Sequence, residues 1–246
     1  MFTSFDGIGI AYDRWPGERG PVVLHHGFAA DARQNWVVPG VVDRLTAAGY
    51  EVAALDARGH GRSDKPHDPD RYGEATMAKD VSALADHLGY DSFLLVGYSM
   101  GAIVSLLVAA DEPRVRRLVV GGIGGAVARG GISRAPVAAA LRAEDPSTIT
   151  DPSGRAFRAF AERSGNDLLA LAAQAERAFE APPALDRITV PTLLVVGEDD
   201  ALARHPERLS DGIAGARLTV VPGDHLSAVS QPAFLDAVVG FLEEDG

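Results

Sequence analysis

Residues 94–110 read LLVGYSMGAIVSLLVAA, with Ser99 set between Gly97 and Gly101 where an apolar run changes its period. Leu94, Leu95 and Val96 read as a short buried strand, and Ile103, Val104, Leu106, Leu107 and Val108 as a buried helix. A chain that turns sharply from strand into helix crowds its own backbone. Side chains two places before and after the turning residue would collide, and glycine at both places removes them. The turn leaves the Ser99 hydroxyl exposed, while the start of the helix directs N–H groups and a positive dipole end at the same point. A G-x-S-x-G pattern in a strand–turn–helix setting is a nucleophile elbow, so the chemistry it suggests is attack by a serine oxygen on a carbonyl carbon.

An alcohol is a weak nucleophile at neutral pH, so Ser99 needs a base, and the base needs an acid to orient it. Two histidines, His205 and His225, lie near the last apolar runs. His225 directly follows RLTVVPGD and precedes an amphipathic terminal segment, which puts it at the carboxyl end of a late strand. His205 lies in ARHPERL, where Pro206 opens a surface helix and the imidazole reads as solvated. His225 is therefore the expected base. The acid is expected after the preceding strand, TLLVVG, where Glu198, Asp199 and Asp200 follow one another. A tight turn at Gly197 leaves the third residue best placed to reach the His225 loop. That selects Asp200, with Asp199 as the alternative; the carboxylate not used is left as a solvated turn residue or a helix cap.

A developing oxyanion needs two N–H donors. The amide of Met100, directly after the nucleophile, is one candidate. The amide of Phe28, in the loop after the first core strand of VVLHHGFAADARQNW, is the other. His25 and His26 invite a metal reading. Neighbours in a strand point to opposite faces, however, and no cluster of Asp, Glu or His accompanies them. They read as structural, with no metal and no cofactor expected.

The elements that must hold these groups are visible as apolar runs: PVVLHHG, YEVAALDARG, FLLVGYS, RRLVVGGI, PTLLVVGEDD and ARLTVVPGDH. Continuous runs of this length fit parallel strands covered on both faces. Helical stretches such as MAKDVSALADHLGY and GAIVSLLVAADEP alternate with them, the second stopped by Pro113. The expected fold is α/β, a mostly parallel central sheet with helices on both faces and ligands bound beyond the carboxyl ends of the strands. Residues 124–183 break the alternation with a Gly-rich opening and Ala-rich helical segments. They read as a helical cap inserted in a single domain spanning residues 1–246. Phe157, Phe160 and Phe179 either roof an apolar pocket or pack the cap onto the core, and their spacing fits both.

The 246 residues include 46% hydrophobic and 23% charged side chains, the balance of a folded globular protein. Asp and Glu total 34 against 23 Lys and Arg, a formal charge of −11. A field of that sign repels phosphate backbones and anionic bilayers. The expected partner is a small-molecule substrate, with no nucleic acid and no membrane, and a homo-oligomer is compatible with the sequence. The absence of cysteine excludes disulfides, thiolate metal sites and a Cys nucleophile, and suits a cytoplasmic location. The start, MFTSFDGIGIAYDRWPG, alternates like a strand hairpin and lacks the basic and apolar regions of a signal peptide. No apolar run approaches the roughly 20 residues of a membrane span.

In the order LHHGF, LDARGHGRSDKP, VGYSMG, PTLLVVGEDD and GDHL, the chain resembles the α/β-hydrolase superfamily over nearly its whole length. It is most similar to small cofactor-free serine esterases and to non-haem haloperoxidase-like hydrolases. The resemblance implies an α/β-hydrolase fold with a small helical cap. It also implies a triad of Ser99, His225 and Asp200, with the Phe28 and Met100 amides as the oxyanion hole. The segment DARGHGRSD resembles a family loop that supports the site, which implies structural roles for Arg58, His60 and Asp64. Haloalkane dehalogenases and soluble epoxide hydrolases of this fold carry Asp where this chain has Ser99, so their reactions are not expected. The strand ending LVVGGIGG carries no acid, which leaves the family's other position for the orienting carboxylate empty.

The expected reaction is hydrolysis of a carboxylic ester or lactone of a small to medium, largely apolar substrate through an acyl-enzyme on Ser99. Perhydrolysis is expected as a side activity. The alternatives are hydrolysis or lysis of a carbon–carbon bond by the same triad, or a ligand-binding receptor that turns over slowly.

Overall fold

The computed structural model describes residues 1–130, 133–177 and 181–244. The alternating start gives β1 (Phe2–Thr3) and β2 (Gly9–Ile10), paired antiparallel as a short ribbon, and then β3 (Tyr12–Trp15). The apolar runs follow as β4 (Arg19–His25), β5 (Tyr50–Leu55), β6 (Phe93–Tyr98), β7 (Val115–Gly121), β8 (Thr192–Gly197) and β9 (Arg217–Val221). With β3 they form one seven-stranded sheet in the order β3-β5-β4-β6-β7-β8-β9. Only β3 runs antiparallel, matching Tyr12 to Leu55, and every other neighbouring pair is parallel.

Parallel neighbours require crossovers, and helices supply them. They are α1 (Val41–Ala47), α2 (Glu74–Leu88) and α3 (Met100–Asp111), then α4 (Ala126–Arg129), α5 (Ala135–Arg142), α6 (Pro152–Arg163) and α7 (Leu168–Glu176). After β8 come α8 (Glu207–Ser210) and α9 (Pro232–Glu243). The apolar runs lack a polar face because both faces are covered. Val22, Leu24, Val52, Ala54 and Val96 pack with α1 and α9, whereas Val23, Ala53, Leu55 and Leu95 pack with α2 and α3. Each fully buried aliphatic side chain of this kind contributes about 1.5–3 kcal/mol relative to exposure.

Between β7 and β8 the described residues form helices and short turns and no strand. The long Ala-rich stretch divides at Gly165 and Asn166 into α6 and α7. Asp167 caps α7, its carboxylate accepting from the Leu169 and Ala170 amides at 3.0 Å each. Helices α5, α6 and α7 pack on one another, and α6 reaches over the carboxyl end of the sheet, where Phe157 meets Phe28 edge-on at 5.7 Å.

Candidate active site

Ser99 occupies the turn from β6 into α3 with φ +53° and ψ −114°, a conformation that costs a non-glycine residue energy. The surrounding chain holds it there. Its N–H donates to the Gly121 carbonyl at 2.8 Å, and its own carbonyl accepts from Ala102 and Ile103 as α3 begins. A Cβ on Gly97 would press into the Gly101 carbonyl, and one on Gly101 into the His25 carbonyl, each far inside van der Waals contact. The two glycines are thus what lets β6, α3 and β4 approach closely enough to build the elbow.

The loop after β9 carries His225. Asp224 shapes it by accepting from the Leu226 and Ser227 amides, and the Tyr98 hydroxyl donates to the His225 carbonyl at 2.8 Å. The imidazole Nε2 lies 3.0 Å from Ser99 Oγ, and Nδ1 lies 2.8 Å from Asp200 Oδ2. A carboxylate can only accept, so Nδ1 carries the proton and Nε2 presents its lone pair to the serine hydroxyl. Asp200 is buried with its side chain fully shielded, and its Oδ1 accepts from the Leu202 and Ala203 amides at 2.8 and 3.2 Å. Glu198 and Asp199 are exposed. His205 is exposed too, 3.3 Å from Glu207, and stands apart from the serine.

Gly27 lies against Ser99, close enough that a Cβ there would meet Ser99 Cβ at 3.3 Å. Its carbonyl accepts from His26 Nδ1–H at 2.8 Å and from Ala30 N–H at 3.3 Å. In a trans peptide N–H and C=O point in opposite directions, so the Phe28 amide is turned away from those donors. Met100 is the first residue of α3, where an N–H has no acceptor within the helix. Among the described residues neither the Phe28 nor the Met100 amide donates to a protein acceptor. Two free N–H groups flanking one serine hydroxyl can bind a carbonyl oxygen and the negative charge it gains on attack.

The supporting histidines are buried and neutral. His26 Nε2 accepts from the Ala57 amide and His60 Nε2 from the Ala29 amide, which fixes both rings and braces the loop at Phe28. Burial, with a smaller push from neighbouring imidazoles, holds His25 down at about 3 and His60 well below its ordinary value; burial also lowers His26. No group of His, Asp and Glu that could hold a metal occurs among the described residues. Arg58 is fully buried between Asp80, at 2.7 Å, and Asp6, at 2.9 Å, while Asp64 accepts from the Gly9 amide at 2.6 Å.

A cavity of about 660 Å³ opens over Ser99. Phe28, Tyr98 and His225 form its floor, Ala156, Phe157 and Phe160 of α6 form its roof, and Leu202, Leu226 and Val229 line one wall. Both described phenylalanines of the expected roof therefore line the cavity, and Phe179 lies outside the described residues. Three contributors escape a reading of the sequence alone. Asn35 accepts from the Gly27 amide at 2.8 Å, Tyr98 ties β6 to the His225 loop, and Gln34 lines the cavity. Tyr98 carries a weak signal, as the variable position inside the elbow motif, but Gln34 and Asn35 sit in a short helical turn, Arg33–Val37, with no motif to mark them.

Comparison with known proteins places this chain in a family. Residues 20–124 match the family model described as alpha/beta hydrolase fold. The "Putative carbamate hydrolase RutD" of Variovorax paradoxus is 32% identical over 225 residues, 80% of this chain and 83% of that one. The non-heme chloroperoxidase of Streptomyces lividans is 40% identical over 126 residues, which span 48% of this chain and 42% of the relative. The solved structure of a hydrolase from Pseudomonas aeruginosa superposes with a TM-score of 0.80 at 30% identity, covering 99% of this chain and 97% of that chain. The protein belongs to the α/β-hydrolase family and is an enzyme of the hydrolase class. No helix among its described residues is long and apolar enough to cross a membrane.

Proposed function

We propose that this enzyme cleaves a carboxylic ester or lactone of a small to medium, largely apolar substrate through an acyl-enzyme on Ser99. The observation that carries the reading is the chain of hydrogen bonds from Ser99 Oγ through His225 to the buried Asp200, at 3.0 and 2.8 Å, on the floor of an apolar cavity. Ser99 Oγ attacks the carbonyl carbon as His225 Nε2 takes its proton. The amides of Phe28 and Met100 hold the resulting oxyanion, and the Asp200 carboxylate holds the imidazolium. Collapse expels the alcohol, which leaves with the proton from His225. A water molecule, deprotonated by His225 in turn, releases the acid and restores the serine.

In this reading residues 124–183 act as a cap within a single domain, and Phe157 and Phe160 accept the apolar part of the substrate. The related carbamate hydrolase and non-heme chloroperoxidase carry the names of a hydrolase and a peroxidase, which fits a site that can use water or peroxide as second reactant. Peroxide attack on the acyl-enzyme gives a peracid, a side activity of the same site.

The test is steady-state hydrolysis of p-nitrophenyl esters from acetate to octanoate by wild type and Ser99→Ala. Wild-type turnover should fall by a factor on the order of 10⁴ or more in the variant, and the preferred acyl length should report the depth of the cavity. Equal rates in both would remove Ser99 as nucleophile. Saturable ester binding without turnover in the wild type would move the site to carbon–carbon bond or receptor chemistry.

A further inference from the structure

The Phe28 amide can stabilise an oxyanion only if the loop that aims it stays in place. The next residue, Ala29, is fully buried and has φ +60°, a left-handed conformation that alanine adopts only under constraint. Two hydrogen bonds supply the constraint from opposite sides. Its N–H donates to His60 Nε2 at 3.1 Å, and its carbonyl accepts from Asn166 Nδ2 at 2.7 Å. His60 belongs to the body of the domain. Asn166 does not: it lies in the turn between α6 and α7, 137 residues along the chain, in the segment that roofs the cavity.

The same segment touches the other donor. Gln174 of α7 is fully buried, and its carboxamide nitrogen lies against Met100 Sδ. The Phe28 ring, in turn, packs edge-on against Phe157 of α6. Both residues whose amides lack a protein acceptor beside the serine are therefore held from the α6–α7 side as well as from the sheet. Directly after Asn166, Asp167 makes a separate tie, 3.0 Å from the exposed His67 imidazole. That tie docks the segment on the core without touching either amide donor.

We propose that Asn166 is a positioning residue for the oxyanion hole. It locks the Ala29 peptide so that the neighbouring Phe28 amide points at the reacting carbonyl, and it makes the rate of acyl transfer depend on this one hydrogen bond from the α6–α7 turn. This inference rests on the hydrolase reading of the same site, because only a reaction that builds an oxyanion needs the donor aimed.

The experiment compares wild type, Asn166→Ala, Asn166→Asp and His67→Ala in two measurements. Asn166→Asp keeps the shape and loses the donor, and far-UV circular dichroism with a melting curve identifies any variant that fails to fold. The first measurement is hydrogen–deuterium exchange over residues 26–32, which needs no turnover. The second is ester hydrolysis together with inactivation by a p-nitrophenyl alkylphosphonate, whose tetrahedral adduct on Ser99 occupies the hole. In both Asn166 variants kcat and the inactivation rate should fall roughly 10-fold to 100-fold with KM within about threefold, since the donor acts on the transition state. Exchange in the loop should rise in the same variants, and His67→Ala should match wild type within about twofold in each readout.

Unchanged loop exchange in both Asn166 variants would overturn the inference. So would an equal loss of rate in His67→Ala, which would show that docking of the roof alone matters. A wild type that neither turns over esters nor labels at Ser99 would sink the hydrolase reading instead, and loop exchange would still decide whether Asn166 holds Ala29.

Discussion

Replacing Asp200 with asparagine isolates the role of the buried carboxylate, because the structure dictates how the amide must sit. Asp200 Oδ1 accepts from the Leu202 and Ala203 amides, while Oδ2 takes the proton of His225 Nδ1. An asparagine has to keep its carbonyl oxygen on the Oδ1 side, since two backbone N–H groups point there and an NH2 group would leave both unpaired. Its NH2 then faces His225 Nδ1 and can only donate. Nδ1 becomes the acceptor, the ring proton moves to Nε2, and Nε2 faces Ser99 Oγ at 3.0 Å with nothing to accept the hydroxyl proton. The site keeps its shape and holds the wrong tautomer. The expected loss in kcat is on the order of 10⁴-fold, or about 5.5 kcal/mol of transition-state stabilisation. The melting temperature should change little, because the two backbone donors remain satisfied. The assay is p-nitrophenyl acetate hydrolysis by wild type, Asp200→Asn and Asp199→Asn. Asp200→Asn retaining more than about a tenth of wild-type kcat would refute the tautomer argument. A comparable loss in Asp199→Asn, whose carboxylate is exposed, would refute the assignment of the acid.

Two further expectations concern stability. Gly101→Ala would place a methyl group under 3.0 Å from the carbonyl oxygens of His25 and His26, both main-chain atoms that cannot swing aside. Overpacking of this kind costs at least about 1–3 kcal/mol, so the melting temperature should drop by roughly 2–12 °C; a drop below about 1 °C would show that β4 gives way freely. The second concerns pH. His25, His26 and His60 have folded pKa values held below the ordinary value by burial, so the unfolded chain binds their protons first as pH falls. The stability they confer is complete above about 6.5 and is lost as pH drops below that, for His25 down to about 3, at up to roughly 1.4 kcal/mol per pH unit for each ring. Urea midpoints measured from neutral pH down to mildly acid pH should therefore decline steadily, and a flat series would show that the three rings are protonated in the native state.

The strand–helix alternation and the elbow were legible because both follow from local rules. Apolar runs without polar alternation can be satisfied only by burial on two faces, and the sheet buries Val22 and Val23 on opposite sides. Glycines two places either side of Ser99 are required by the steric crowding of one tight turn, which is complete within five residues. His225 could be found because it lies in the short loop after the last strand of the sheet. Asn35 could not be found in this way. It acts on Gly27 from the helical turn Arg33–Val37, and nothing in the spacing of those residues separates it from a solvated neighbour. Asn166 is more distant still, meeting Ala29 only after more than half of the chain has come between them.

The sequence by itself determined which residue could be the nucleophile, which fold could carry it and which end of the sheet it would occupy, since these depend on periodicity and on sterics within a turn. The tertiary structure decided among side chains of equal chemical competence. Glu198, Asp199 and Asp200 are alike as carboxylates, and only the packing of the loop after β8 buries Asp200 against His225 while leaving the other two in water. Asn35, Tyr98 and Asn166 likewise take their roles from partners between eight and 137 residues away. The physical reason is the same in each case. A polar side chain becomes decisive when burial removes its alternative partners in water, and burial belongs to the assembled fold rather than to any short stretch of chain.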